Sequence, residues 1–136
     1  MRVLNEANLL SASTLRTVNL DRGAWSGLEW SLRNLVNRRG DVYVVTGPIY
    51  GPEPDPSHEP STAETDLPVA FFKLVATPSG ALSVFRFDQA FGVYLHHCEA
   101  RSTLAEIETE TGLQFFPDWE RAEFGRETLD TQLGCR

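Results

Sequence analysis

What the chain lacks narrows the field first. No apolar run approaches the ~18 residues that a membrane span requires, so no membrane partner is expected. The opening, MRVLNEANLL, has too short an apolar stretch, broken by acid and amide residues, to read as a secretory leader; taken as written, the protein is expected to be cytoplasmic. Cysteine is scarce, with only Cys98 and Cys135. Two thiols in a cytosolic chain are expected to be free rather than bridged, and Cys135 stands next to last, where order is usually poor. Positive charge is also short: 12 Lys and Arg against 19 Asp and Glu, a net −7. That weighs against a generic nucleic-acid binder, whose affinity rests on cations. There are no internal repeats, and no low-complexity tract beyond one proline-rich stretch.

What remains is an ordinary globular composition. The 136 residues suit a single domain, 1–136, long enough to bury a core, with 41% hydrophobic and 23% charged residues. The charge is uneven. Residues 16–39 carry Arg16, Arg22, Arg33, Arg38 and Arg39 against Asp21 and Glu29, a local +3, while acids gather at 53–66 and from 99 onward. A basic segment on an acidic protein can still meet phosphate, although a solvated helix face would look the same.

The segment ANLLSA (7–12) reads as a short strand, and 13–22 as a loop. Trp25, Leu28, Leu32, Leu35 and Val36 recur at helical spacing and predict a helix over about 23–39. Asp21 stands where an N-cap belongs, and Arg38-Arg39-Gly40 supply cations and a glycine stop. DVYVVTG (41–47), 69–76 and 82–87 read as β-strands, the last two joined by a PSG turn. Between the first two lies a loop, about 48–68, with six prolines and five acids. Residues 90–97 are expected as a third strand of the meander. Thr103 with Glu106 forms a capping-box pattern ahead of a helix ending at Gly112, LQFFPDW is expected to dock aromatics on the sheet, and the tail from about 120 is polar. The expected class is α+β: an antiparallel sheet with packed helices.

Four blocks in order, LDRGAWSGLEWSLRNLV, GDVYVVTGPIYG, LPVAFFKLVAT and LAEIETETGLQFFPDW, resemble the C-terminal half of the DNA/RNA non-specific endonucleases, the ββα-metal nucleases. The resemblance implies part of that fold, phosphodiester hydrolysis and a magnesium (or manganese) ion. It assigns Asp21 the place of the family's metal-binding asparagine, Glu29 that of the glutamate positioning metal-bound water, and Arg33 that of the arginine steadying the phosphate. An aspartate oxygen suits a hard cation at least as well as an amide oxygen. On one continuous helix Glu29 lies about 80° round from Asp21 and about 12 Å along the axis, so one ion would reach Glu29 only through water.

The family's general base is a histidine in a DRGH motif upstream of the metal residue. Here DRG at 21–23 is followed by Ala24, and the first histidine is His58. Counting back by the family's spacing puts the base before Met1. Ala12 stands at a family asparagine, and Leu15-Arg16 at a proline-glutamine pair. The chain is therefore expected to be an incomplete or inactive endonuclease-like domain that meets DNA or RNA weakly, completed by a missing N-terminal segment or a partner chain. The alternative is a non-catalytic nucleic-acid-binding or protein-interaction module. Simpler roles exist for each residue: Asp21 as a cap, Glu29 and Arg33 as an i,i+4 surface pair, Trp25 as core. His96, His97 and Cys98, read as strand neighbours, would point to alternate faces and could not share a metal without a bulge.

Overall fold

The computed structural model describes residues 4–8, 21–51, 68–89, 95–119 and 124–136. In chain order these form β1 (Leu4–Asn8), a wide helical turn (Asp21–Trp25), α1 (Ser26–Arg39), β2 (Val42–Ile49), β3 (Ala70–Ala76), β4 (Leu82–Asp88), a 3₁₀ turn (His97–Ala100) and α2 (Leu104–Thr111). The strands lie side by side in the order β1-β2-β3-β4. The α+β arrangement is present: β2, β3 and β4 form an antiparallel meander, and both helices pack on it. β1 adds a parallel edge beside β2, because the chain between them passes through α1 and so returns in the same direction. It lies a few residues earlier than expected; 9–12, and the loop read over 13–20, fall outside the described residues.

Strand alternation divides the sheet into two faces. Phe71 and Val75 of β3, Val42 and Val44 of β2, and Phe85 and Phe87 of β4 point to one side, where they bury Leu28, Leu32 and Leu35 of α1. That is the apolar stripe read from the sequence, each buried leucine contributing about 2 kcal/mol. Phe72, Leu74, Val84 and Ile49 point to the other side, against Ile107 of α2 and Phe115. The aromatics of LQFFPDW do dock there: Phe115 meets Phe72 edge-on at 5.2 Å, and Trp119 meets Tyr43 at 5.8 Å. α2 begins at Thr103, whose hydroxyl accepts from the Glu106 amide, and ends at Gly112 in the left-handed conformation (φ 70°).

Three local expectations differ from the structure. The helix does not start at Asp21: Gly23 (φ −96°, ψ −110°) breaks the helical path, and the N-cap residue of α1 is Trp25, without a side-chain cap. The separation calculated for one continuous helix therefore does not apply. Residues 95–97 are not a strand, because His96 and Glu99 cap each other: His96 Nδ1 accepts from the Cys98 amide (3.2 Å) and Glu99 accepts from the His96 amide (3.0 Å), turning the chain into 3₁₀ geometry. Residues 90–94 lie outside the described residues. Finally, Cys98 and Cys135 are not free but bridged, across 37 residues of sequence. The end of the chain is accordingly ordered: Leu129, Leu133 and Cys135 are buried on the α1 face. The proline-rich loop starts later than expected, since β2 runs through Pro48 and Ile49; residues 52–67, with His58, lie outside the described residues. Among the described residues β1 pairs β2 as far as Thr46, short of Pro48, which lacks the N–H a ladder would use.

Candidate active site

The site grows from the pairing of β2 with β3. Thr46-Gly47-Pro48 stands opposite Lys73-Phe72-Phe71, residue for residue. Two sequence blocks more than twenty residues apart are thus one local unit. Gly47 lies under the Phe72 ring: a Cβ there would fall 2.6 Å from Phe72 Cζ. Only glycine admits that ring, and the ring carries the core contact with Phe115. On the opposite face the same pair of strands presents Thr46 and Lys73 side by side toward α1.

Lys73 is the notable member. It is fully buried in the middle strand, between Phe71 and Val75 on the α1 face. Its ammonium donates to Glu29, forming an ion pair, and stands 4.5 Å from the Trp25 ring centroid. A buried charge survives only when paired and hydrogen-bonded, and here a carboxylate and an aromatic face supply that. Trp25 is buried as expected, edge-on to Phe71 (6.1 Å) and Phe87 (5.4 Å). Thr46 Oγ1 is buried without a hydrogen-bond partner. The Glu29 carboxylate therefore stands at the edge of a polar pocket in an otherwise apolar layer, part-exposed at 30%.

The expected surface pair of Glu29 with Arg33 gives way to this arrangement: among the described residues the ion pair of Glu29 is with Lys73, and Arg33 is exposed on α1 one turn later. Asp21 begins the wide turn ahead of α1; its side chain lies outside the described residues. Sequence reasoning passed over Lys73. The available signal was a single cation inside the apolar run PVAFFKLVAT, where a charge has no place without a partner.

The two histidines among the described residues, His96 and His97, stand at the 3₁₀ turn. His97 is buried and its Nε2 lies 2.6 Å from the Leu133 carbonyl. Burial lowers its pKa from 6.5, opposed by that backbone hydrogen bond and reinforced by His96. Gly27 of α1 makes room for its ring, a Cβ there falling 3.3 Å from Nδ1, and Glu29 lies about 200° round the helix from Gly27. His97 thus packs on the side of α1 away from Glu29 and is no replacement base. The 3₁₀ turn does bring donor atoms of His96, His97 and Cys98 within 4.8 Å of one another, contrary to the expected alternation. The disulfide, however, occupies the Cys98 sulfur and leaves no thiolate for a metal.

Residues 14–122 match the family described as DNA/RNA non-specific endonuclease, most of the chain and all of the α1–β2–β3 unit. The chain belongs to this family. It is 35% identical over 141 residues to a nuclease of Serratia marcescens, covering 95% of this chain and 52% of that one. A nuclease of Syncephalastrum racemosum is 29% identical over 125 residues, covering 79% of this chain and 39% of its own. The endonuclease-family chain thus spans about half the length of these relatives, or less. A chain from the crystal structure of an EndoG/EndoGI complex, described as showing the mechanism of EndoG inhibition, superposes with a TM-score of 0.57 over 76% of this chain and 47% of its own. At 22% identity that likeness shows the fold. The family resemblance read from the four sequence blocks is borne out.

Proposed function

We propose that this endonuclease-family domain carries the phosphate-side half of a metal-dependent phosphodiesterase site. Arg33, exposed on α1, holds the phosphate. Glu29, its carboxylate held by buried Lys73, orients the attacking water. The observation that supports this reading most is the Glu29–Lys73 pair: a carboxylate braced from the core is a fixed, preorganised acceptor rather than a mobile surface acid. The donor chemistry is hard oxygen, which fits magnesium or manganese. Asp21 would hold that ion, which when bound neutralises charge on the phosphate. Lys73 against Glu29 disfavours a second cation directly on that carboxylate and agrees with a water between the two.

The substrate on this reading is DNA or RNA. Among the described residues no histidine pairs with Glu29; on this reading the chain is short of its base for deprotonating water, a loss of about 10²–10⁴ in rate. The 136-residue chain alone is expected to cleave feebly. The cytoplasmic expectation fares less well: none of the described helices is long and apolar enough to cross a membrane, but the Cys98–Cys135 bridge favours an oxidising compartment.

The test is plasmid and RNA cleavage with magnesium, comparing the chain with Glu29→Gln, Arg33→Ala and Asp21→Ala. Feeble cleavage is expected, rising by about 10² or more when a DRGH-bearing segment is supplied on a longer or separate chain, and abolished by each substitution. Robust cleavage by the 136 residues alone would overturn the missing base. No cleavage in any combination would favour the non-catalytic binding module.

A further inference from the structure

On the far side of α1 from the sheet, the helix and the C-terminal segment enclose a groove of about 420 Å³, within the range of ligand sites. Trp30, Ser31, Asn34, Asn37, Arg38 and Gln132 line most of it. Trp30 is 66% exposed, a large indole face left in solvent with amides and hydroxyls beside it. Among the described residues it belongs to neither core cluster. Asn34 and Asn37 follow it at i+4 and i+7, so all three share one helix face. The groove is stiffened from behind: Arg38 Nη2 donates to the Gln132 carbonyl (2.7 Å), tying α1 to the C-terminal segment.

Its chemistry is selective. Aromatic face, side-chain amides and guanidinium are present, and among the described residues no carboxylate lines the groove. That absence is informative on a chain whose acids outnumber its bases 19 to 12. The only acid of α1 is Glu29, already paired with Lys73, whereas Arg33, Arg38 and Arg39 are all exposed along it. Stacking surface, amides able to read base edges and a cationic margin are the three components of single-strand recognition.

We propose that this groove is a single-stranded nucleic-acid subsite in which Trp30 stacks a base, Asn34 and Asn37 contact its edge, and Arg38 within the groove and Arg33 beside it meet the flanking phosphates. The proposal rests on the nuclease reading and extends it. Arg33 is three residues from Trp30, on the adjoining helix face, so a strand held at Arg33 continues over the indole. The subsite would favour unpaired bases, since a duplex hides the ring faces that Trp30 needs.

The experiment measures binding without cleavage. A labelled oligothymidylate of about eight nucleotides is titrated by anisotropy with the full chain, in chelator and low salt. Trp30→Ala is expected to weaken binding roughly 5- to 100-fold and Trp30→Phe by less than about threefold. Trp30→Ala should leave the salt slope unchanged, whereas Arg33→Ala should reduce it by about one. Trp30 is exposed, so its variants are expected to fold, with circular dichroism as the check. Equal affinity of Trp30→Ala and the unsubstituted chain overturns the proposal, as does absence of any binding. So does a Trp30-dependent dimer in sedimentation, which would make the patch a self-interface. The two readings separate cleanly: Trp30-dependent binding without cleavage in any form leaves the groove and removes the nuclease, while cleavage with Trp30-insensitive affinity does the reverse.

Discussion

The two faces of the sheet are built to different rules. The α2 face is apolar throughout its buried layer: Phe72, Leu74, Val84, Ile107 and Phe115 pack without a buried polar side chain among the described residues, and its charges stay at the rim. There Arg86 forks onto Glu110 (2.8 and 3.0 Å) and reaches Asp88 (2.6 Å), at the exposed rim. The Glu110 hydrogen bonds, chiefly, raise the Arg86 pKa above its ordinary value. The α1 face buries Thr46, Lys73 and Ser83 from the strands and His97 from the 3₁₀ turn, each inside a layer otherwise made of Phe, Leu and Val. Polar burial costs stability and is kept where it has a task. On the proposed reading one face is a foundation and the α1 face carries the chemistry.

The contrast can be broken most forcefully at Glu29. Glu29→Ala leaves the Lys73 ammonium buried without its carboxylate, and is expected to cost about 3–5 kcal/mol by urea unfolding. If Lys73 is tolerated there at no cost, the α1 face is no more demanding than the other. Adding Lys73→Met should recover much of the loss, since an apolar side chain of similar length replaces the charge. On the α2 face the largest single effect should come from Gly47→Ala, where the new methyl meets the Phe72 ring at 2.6 Å. The ring is hemmed in by Phe115, so a loss of about 1–3 kcal/mol is expected, with the Glu29–Lys73 side of the sheet little disturbed.

A smaller effect should appear with pH, and only from the α1 face. His97 titrates below its ordinary 6.5 because burial disfavours the charged ring. The unfolded chain then binds the proton more readily, so the contribution of His97 is present above pH 6.5 and is lost as pH falls from there through the lower folded value. His97→Gln should flatten stability between pH 7 and 5 if that ring is responsible. The smallest effect should be Glu110→Ala, about 0.2–1 kcal/mol and shrinking with salt, since that pair is part-exposed. A loss as large as that of Glu29→Ala would erase the distinction between the faces.

Much of the architecture was legible beforehand. The stripe of Trp25, Leu28, Leu32 and Leu35 marked α1, the β-branched and aromatic runs marked β2–β4, and Thr103 with Gly112 bracketed α2. These are local signals, set by residues within one or two turns of each other. The misreadings were local signals overruled: residues 95–97, read as the end of a strand, turn into a reciprocal cap between His96 and Glu99, and the helix start was displaced by the break at Gly23.

The sequence by itself determined α1, α2 and β2–β4, the family, and the identity of Asp21, Glu29 and Arg33 as candidates, because periodicity and motif order are written along the chain. Only the tertiary structure decided what those residues meet. Glu29 found Lys73 across 44 positions, Cys98 found Cys135 across 37, and Thr46-Gly47-Pro48 found Phe71-Phe72-Lys73 through antiparallel register. Such contacts depend on which sheet face a side chain takes and on which strand lies beside it. One residue of slip would turn Lys73 from the Glu29 carboxylate into the apolar layer beneath α2.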